Sequence, residues 1–216
     1  MKALLFPGQG VQKIGMMNEI ISSNPEIHDF VAEASEDLDF DLIKLITSGP
    51  EEQLNLTEYA QPAILATSIA IVKAKKVNSN ISVTAGLSLG EYSALVYANC
   101  LRFSDALKLV NVRGKLMQSA VPEGTAGMLV VLNMGLEEIY KMIDSVNSSQ
   151  EEINFSTDNA EGVSVLAGKN TSIEACKKYI EDNDFKRVKT QMVQMSVPSH
   201  CSCLLYTSDA ADETEG

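Results

Sequence analysis

A serine at the centre of a Gly-x-Ser-x-Gly pattern is the residue of this chain best placed to act as a nucleophile. It is Ser88, within residues 86–90 (GLSLG), between a short apolar run and a helical one. This context is typical of a nucleophile elbow, a tight turn that exposes the hydroxyl at its tip. Glycines flank such a turn because a side chain would clash there, and the next helix points free N–H groups at a developing oxyanion. Ser88 is therefore predicted to be an acyl-transferring nucleophile; the alternative is a strand-to-helix turn without chemistry.

A serine nucleophile needs a general base, and the chain has two histidines, His28 and His200. His28 lies in a polar segment at a helix start and is interpreted as a surface residue. His200 follows extended chain in residues 197–201 (VPSHC), at a strand end where catalytic groups of α/β folds often lie. His200 is the candidate base, with a loop histidine of no catalytic role as the alternative. Cys201 and Cys203 follow it, but no further set of metal ligands accompanies them, so no metal site is predicted.

The composition excludes several classes of function. The chain has 216 residues, 45% of them hydrophobic, and a net charge of −12, which argues against nucleic-acid binding. No apolar run approaches the ~20 residues of a membrane span, and the N-terminal run is too short for a signal peptide. The four cysteines show no disulfide framework, so we expect a reducing cytoplasm. Two-pronged recognition of a carboxylate must use one of three arginines: Arg102, Arg113 and Arg187.

The elements that must position these residues alternate between strands and helices. Apolar runs predict buried strands at residues 3–6 and 81–85. Helical spacing predicts helices over residues 35–46, 57–76, 91–98 and 101–119. Pro62 is placed early in its helix, where a missing N–H costs least. From residue 127 the predicted order is strand-helix-strand-helix-strand, which suits a small inserted α+β unit, at residues 128–132, 135–146, 162–168, 171–182 and 185–197.

Five motifs occur in order along the chain: residues 6–10 (FPGQG), 61–63 (QPA), 86–95 (GLSLGEYSAL), 113–118 (RGKLMQ) and 197–201 (VPSHC). Together they resemble the bacterial malonyl-CoA:acyl-carrier-protein transacylases of fatty acid synthesis, up to about residue 202. The resemblance implies an α/β fold, with an α/β hydrolase-like large subdomain at residues 1–121 and 195–202. A ferredoxin-like small subdomain would be inserted at residues 122–194, with the active site in the cleft.

The resemblance also implies a role for each motif. Ser88 would attack the thioester of malonyl-CoA while His200 accepts its proton. The backbone N–H groups of Gln9 and Leu89 would hold the oxyanion, and Arg113 would bind the free carboxylate of the malonyl group. The phosphopantetheine thiol of acyl carrier protein would then take the acyl group, without a metal or redox cofactor. We expect a cytoplasmic monomer whose partners are malonyl-CoA and acyl carrier protein.

The sequence departs from the family pattern at several positions. Leu87 precedes the nucleophile where histidine is frequent. Asn159 corresponds to the family's asparagine and would support His200, but Glu161 and Val163 stand where proline and glutamine are usual. Residues 203–216 resemble a translated sequencing adapter, with a natural acidic terminus as the alternative. Since family members continue past the histidine motif, we expect a chain that is truncated at its C-terminus.

Three rivals to a fatty acid synthesis enzyme remain. The first is an acyltransferase domain of a polyketide-type system, although a start at Met1 without a linker favours a stand-alone enzyme. The second is a serine hydrolase, which needs an acidic residue between Ser88 and His200, and no carboxylate stands out there. The third is an inactive truncated fragment, because losing part of a core leaves apolar faces uncovered.

Overall fold

The computed structural model describes residues 1–77, 81–122, 124–149, 152–193, 197–201 and 204. These residues form two compact units, Met1–Leu116 and a second that begins at Met117. Of the tail predicted at residues 203–216, only Leu204 lies within the described residues. No helix in these ranges is long and apolar enough to cross a membrane. The fold is mixed α/β, as the sequence predicts.

The first unit combines a parallel strand pair with helices. Strand β1 (Lys2–Phe6) pairs in parallel with β2 (Ile81–Gly86). The helices are α1 (Asn18–Ser23), α2 (Pro25–Ala34), α3 (Leu42–Ser48), α4 (Glu51–Asn55), α5 (Thr57–Ala74), α6 (Gly90–Tyr97) and α7 (Phe103–Ala120), whose last four residues belong to the second unit. Helix α5 is the centre of this unit, since all its residues from Ala60 to Ala70 are buried. The strands and the long helices match the sequence prediction.

Two details of the helices differ from the sequence prediction. The prediction of a helix over residues 35–46 is wrong. Helix α3 begins only at Leu42, because Asp41 caps it by accepting a 2.9 Å hydrogen bond from the Lys44 N–H. Pro62 is the sixth residue of α5 rather than part of its first turn. Its missing N–H leaves the carbonyl of Glu58 without a helical donor, and the Asn111 side-chain amide donates to that oxygen at 2.9 Å.

The second unit is an antiparallel sheet packed against two helices. Its elements in chain order are β3 (Ala126–Leu132), α8 (Leu136–Asn147), β4 (Ile153–Ala160), β5 (Val163–Lys169), α9 (Asn170–Asp182) and β6 (Lys189–Met192). The strand order is β4-β5-β3-β6, with antiparallel pairing throughout. The apolar faces of α8 and α9 share one core with the sheet through residues such as Leu129, Ile139 and Cys176.

Strand β4 is an element that the sequence prediction missed. Its sequence, INFSTDNA, is too polar to show the apolar alternation of a strand. It forms because it pairs with β5 across a tight turn in which Gly162 has a φ of 71°. The extended chain predicted at residues 185–197 contains β6 only at 189–192, and residues 194–196 lie outside the described residues.

Candidate active site

Ser88 lies at the tip of a tight turn between β2 and α6. Its φ is 52°, in the left-handed region that residues other than glycine seldom adopt. Three backbone hydrogen bonds fix the turn: the Leu87 N–H donates to the Phe6 carbonyl at 3.2 Å, the Gly90 N–H to Leu87 at 2.8 Å and the Glu91 N–H to Ser88 at 3.1 Å. This geometry is that of a nucleophile elbow.

The glycines on either side of Ser88 are required by close backbone contacts. A Cβ atom on Gly86 would lie 1.9 Å from the carbonyl carbon of Gly90, and one on Gly90 would lie 2.4 Å from the Phe6 carbonyl oxygen. Neither position has room for a side chain. The steric reason given for both glycines in the sequence prediction therefore holds in the structure.

Arg113, on α7, extends its guanidinium to the nucleophile. Nη2 donates to Ser88 Oγ at 3.0 Å, and Nη1 donates to Gln61 Oε1 at 2.7 Å. The guanidinium carbon lies 5.8 Å from the centroid of the Tyr92 ring, within the range of a cation–π contact. Arg113 and Ser88 are 25 positions apart in sequence, so this contact depends on how α7 packs against the turn between β2 and α6.

No carboxylate oxygen of the described residues lies within 4.0 Å of the Arg113 guanidinium nitrogens. By contrast, Arg102 pairs with Asp105 at 2.7 Å. Burial lowers the pKa of Arg113, which Tyr92 and Glu91 partly offset. The group still stays protonated at neutral pH, because arginine ordinarily titrates far above it. A half-buried cation beside the nucleophile, without an anion, is suited to bind a substrate carboxylate.

The N-terminal turns of α5 hold α7 and the loop after β1 in place. Gly114 packs directly on α5, since a Cβ atom there would lie 2.4 Å from Glu58 Cα. The Gln9 side-chain amide donates to Thr57 Oγ1 at 3.2 Å. The roles of Thr57, Gln61, Tyr92 and Asn111 were missed in the sequence analysis. Gln61 lies in the QPA motif, which was the one signal pointing to it.

The role of the Gln9 and Leu89 backbone N–H groups as oxyanion donors stays a prediction. Within the described residues, the N–H groups of Gln9 and Leu89 donate to no protein acceptor. Leu89 follows the nucleophile directly and leads into α6. The loop carrying Gln9 lies against the turn, because a Cβ atom on Gly8 would be 2.9 Å from the Leu87 carbonyl oxygen.

His200 and Asn159 belong to the second unit, so their place beside Ser88 stays a prediction. His200 is exposed, with a left-handed φ of 55°, and follows the buried Ser199. The Ser199 carbonyl accepts a 3.0 Å hydrogen bond from Ser156 on β4, and this bond fixes the backbone next to His200. Asn159 is exposed near the end of β4, where the pairing with β5 shifts register. His28 is exposed, as expected.

Comparison with known proteins agrees with the resemblance carried by the five motifs. The chain is 41% identical over 207 residues to the malonyl CoA-acyl carrier protein transacylase of Haemophilus influenzae, covering 94% of this chain and 65% of that protein. The crystal structure of the transacylase of the same name from Clostridium perfringens matches with a TM-score of 0.84 and 35% identity, covering 98% of this chain and 66% of that one.

A third relative is a malonyl-transacylase solved in complex with its type II PKS acyl-carrier protein. It matches with a TM-score of 0.87 and 38% identity, covering 98% of this chain and 68% of that one. The chain thus spans about two thirds of the length of these relatives. The acyl transferase domain family matches residues 3–202. Because that match takes in nearly the whole chain, the chain belongs to the acyl transferase family, in the group of the malonyl CoA-acyl carrier protein transacylases.

Proposed function

We propose that this protein transfers the malonyl group from malonyl-CoA to the phosphopantetheine thiol of acyl carrier protein, through a malonyl-serine intermediate. The observation that carries the proposal is the Arg113 guanidinium, which lacks an ion-pair partner in the described residues and donates to Ser88 Oγ at 3.0 Å. A cation at that distance suits an acyl group whose far end carries a carboxylate. Two relatives bear the transacylase name, and a third was solved with an acyl-carrier protein.

In the first half-reaction, Ser88 Oγ attacks the thioester carbonyl of malonyl-CoA and its proton passes to His200. The carbonyl oxygen becomes an oxyanion, which the N–H groups of Gln9 and Leu89 stabilise. The C–S bond then breaks, and the departing thiolate of coenzyme A takes the proton from His200. The malonyl group remains on Ser88 as an ester, with its carboxylate bound to Arg113.

In the second half-reaction, the phosphopantetheine thiol gives its proton to His200 and attacks the ester carbonyl. The ester bond breaks, and Ser88 Oγ recovers the proton from His200. Asn159 supports the histidine in this scheme. The reaction exchanges one thioester for another, so it needs no metal and no redox cofactor. The cytoplasmic location and the monomeric state remain predictions.

We also propose the finer fold expected from the family. The large subdomain, α/β hydrolase-like, comprises residues 1–121 and 195–202, and the ferredoxin-like small subdomain comprises residues 122–194. The parallel β1–β2 pair and the Ser88 turn between β2 and α6 support the first assignment. The β-α-β-β-α-β order with strands arranged β4-β5-β3-β6 supports the second.

The test is covalent labelling with radioactive malonyl-CoA. We expect label on Ser88, its transfer to acyl carrier protein on addition of the carrier, and none in Ser88→Ala. Circular dichroism of both proteins serves as the folding control. Equal label from acetyl-CoA and malonyl-CoA would contradict the role of Arg113, and the absence of label in a folded protein would contradict the proposal.

The same assay separates the rival functions. Efficient labelling by methylmalonyl-CoA favours an acyltransferase of a polyketide-type system. Release of free malonate without carrier protein favours a hydrolase. No label together with no cooperative unfolding transition favours an inactive fragment.

A further inference from the structure

We propose that Gln61 is a specificity-determining positioning residue: it orients Arg113 through a neutral amide oxygen and so leaves the guanidinium charge for the substrate carboxylate. This inference rests on the proposed malonyl transfer and extends it to a residue that does not touch the reacting atoms. The observation behind it is the 2.7 Å hydrogen bond from Arg113 Nη1 to Gln61 Oε1.

In the described residues, the hydrogen-bond and ring partners of the Arg113 guanidinium are all neutral groups. They are the amide oxygen of Gln61, the hydroxyl of Ser88 and the ring of Tyr92. Glu91 acts on Arg113 electrostatically but is exposed and forms no ion pair with it. These contacts therefore fix the orientation of the guanidinium without neutralising its charge. A cation kept in this state binds an incoming carboxylate more strongly than one already paired with an acid.

Gln61 is suited to this task because it is rigidly held. Its side chain is 0% exposed, and the residues that follow it on α5 are buried as well. A buried acceptor at a fixed point selects one orientation for Nη1, and this leaves Nη2 directed at the nucleophile. Because the guanidinium is planar, fixing one of its nitrogens restricts the direction of the others.

A glutamate has the same shape as glutamine but carries a charge. In Gln61→Glu the carboxylate would form a buried ion pair with Arg113 and compete with the carboxylate of the substrate. Selectivity for malonyl over acetyl groups would then fall, because only malonyl depends on a free guanidinium. We expect the ratio of kcat/KM for malonyl-CoA to that for acetyl-CoA to fall by about tenfold or more, chiefly through a higher KM for malonyl-CoA.

A second variant separates charge from orientation. Gln61→Met keeps the length of the side chain but has neither a charge nor an amide oxygen. We expect the selectivity ratio to fall in this variant too, by less than in Gln61→Glu, because Arg113 loses its fixed acceptor but keeps its charge. Gln53→Glu on α4 is the matched control: it adds the same charge outside the contacts of Arg113 and should leave the ratio unchanged.

Binding without chemistry gives an independent measurement. In the Ser88→Ala background, calorimetry should find tighter binding of malonyl-CoA than of acetyl-CoA, and adding Gln61→Glu should remove the difference. If Ser88→Ala itself shows no preference for malonyl-CoA, the proposed function fails. If that preference is present but survives both Gln61→Glu and Gln61→Met, the role of Gln61 is overturned while the proposed function stands. Gln61→Met decides the question if the buried charge of Gln61→Glu prevents folding.

Discussion

Arg113 and Ser88 share a hydrogen bond in which a cation donates to the nucleophilic oxygen itself. This bond occupies a lone pair of the oxygen that must attack the thioester. A substrate carboxylate is a stronger acceptor than a hydroxyl, because its bond to a guanidinium is charge-assisted. We therefore expect a malonyl group to draw Arg113 away from Ser88 Oγ, whereas an acetyl group leaves the bond intact. Arg113 would then discriminate both by binding the substrate and by releasing the nucleophile.

Replacing Arg113 tests this double role. In Arg113→Met we expect kcat/KM for malonyl-CoA to fall by about 100-fold, the loss of a charge-assisted hydrogen-bonded pair of roughly 2–3 kcal/mol. Transfer of acetyl should rise, since nothing then occupies the Ser88 lone pair. Arg113→Lys should lie between the wild type and Arg113→Met for malonyl-CoA, because it keeps the charge without the two-pronged geometry. Initial rates with both substrates provide the measurement; a parallel fall for acetyl-CoA would contradict this account.

Sequence patterns predicted the backbone geometry of residues that lie on one turn, while the chemical roles of Ser88 and Leu89 stay predictions. Ser88, its two glycines and Leu89 lie within five consecutive positions, and the local pattern dictates their geometry. It failed for Gln61 and Tyr92, because their contact with Arg113 arises from packing between α5, α6 and α7. The role of Arg113 itself came from resemblance to a family rather than from its spacing. The role of His200 as the general base for Ser88 remains a prediction, because His200 belongs to the second unit.

Two contacts between α5 and α7 hold α7 in place on either side of Arg113. Gly114 allows the two helices to approach, and Asn111 replaces the hydrogen bond that Pro62 removes from α5. Both residues lie on α7 within one turn of Arg113. The position of the arginine is therefore determined by contacts on either side of it along the same helix.

Gly114→Ala should disturb stability and selectivity together. The added methyl group would lie 2.4 Å from Glu58 Cα and 2.7 Å from the Thr57 carbonyl oxygen, both of them backbone atoms. We expect the free energy of unfolding to fall by about 1–3 kcal/mol, as for other overpacked sites, and malonyl selectivity to fall as Arg113 shifts. Chemical denaturation and the labelling assay measure the two effects. Gly135→Ala, where a Cβ atom meets nothing within 4 Å, is the control and should change stability by only a few tenths of a kcal/mol.

Elements were predicted well where apolar residues repeat with a clear period. Helix α5 and strand β3 are of this kind, and the structure places them within two residues of the predicted bounds. Strand β4 was not predicted, because its polar sequence shows no strand pattern. Its extended conformation depends on its pairing with β5. The helix expected over residues 35–46 was wrong. The apolar spacing is continuous there, but the Asp41 carboxylate caps a helix that begins only at Leu42.

The two largest hydrophobic clusters of the described residues lie one in each unit. In the first unit, one face of the β1–β2 pair is uncovered in the described residues: Leu5 is 72% exposed and Val83 51%. Parallel sheets are usually covered on both faces, so these side chains form an unusual apolar surface. The second core is closed around Cys176, where burial raises the pKa of the thiol to about 12.

Cys176 should therefore report the unfolding of the second unit. At pH 8 its thiol is almost wholly protonated and out of contact with solvent, so iodoacetamide should leave it unmodified while exposed Cys100 reacts. In denaturant both residues should react at similar rates. Mass spectrometry of peptides after timed alkylation distinguishes the two sites. Equal reaction of both cysteines in the native protein would contradict the closed second core.

The left-handed backbone of Ser88 has a consequence for how this position can evolve. A φ of 52° costs about 1–2 kcal/mol for a residue other than glycine, so Ser88→Gly should unfold at higher denaturant concentration than Ser88→Ala, although both lack the hydroxyl. Selection for stability alone would thus favour glycine here, and only selection for a reactive hydroxyl keeps the serine. In a lineage that no longer needed catalysis, this would be among the first positions expected to drift, and its residue would indicate whether the fold still serves chemistry.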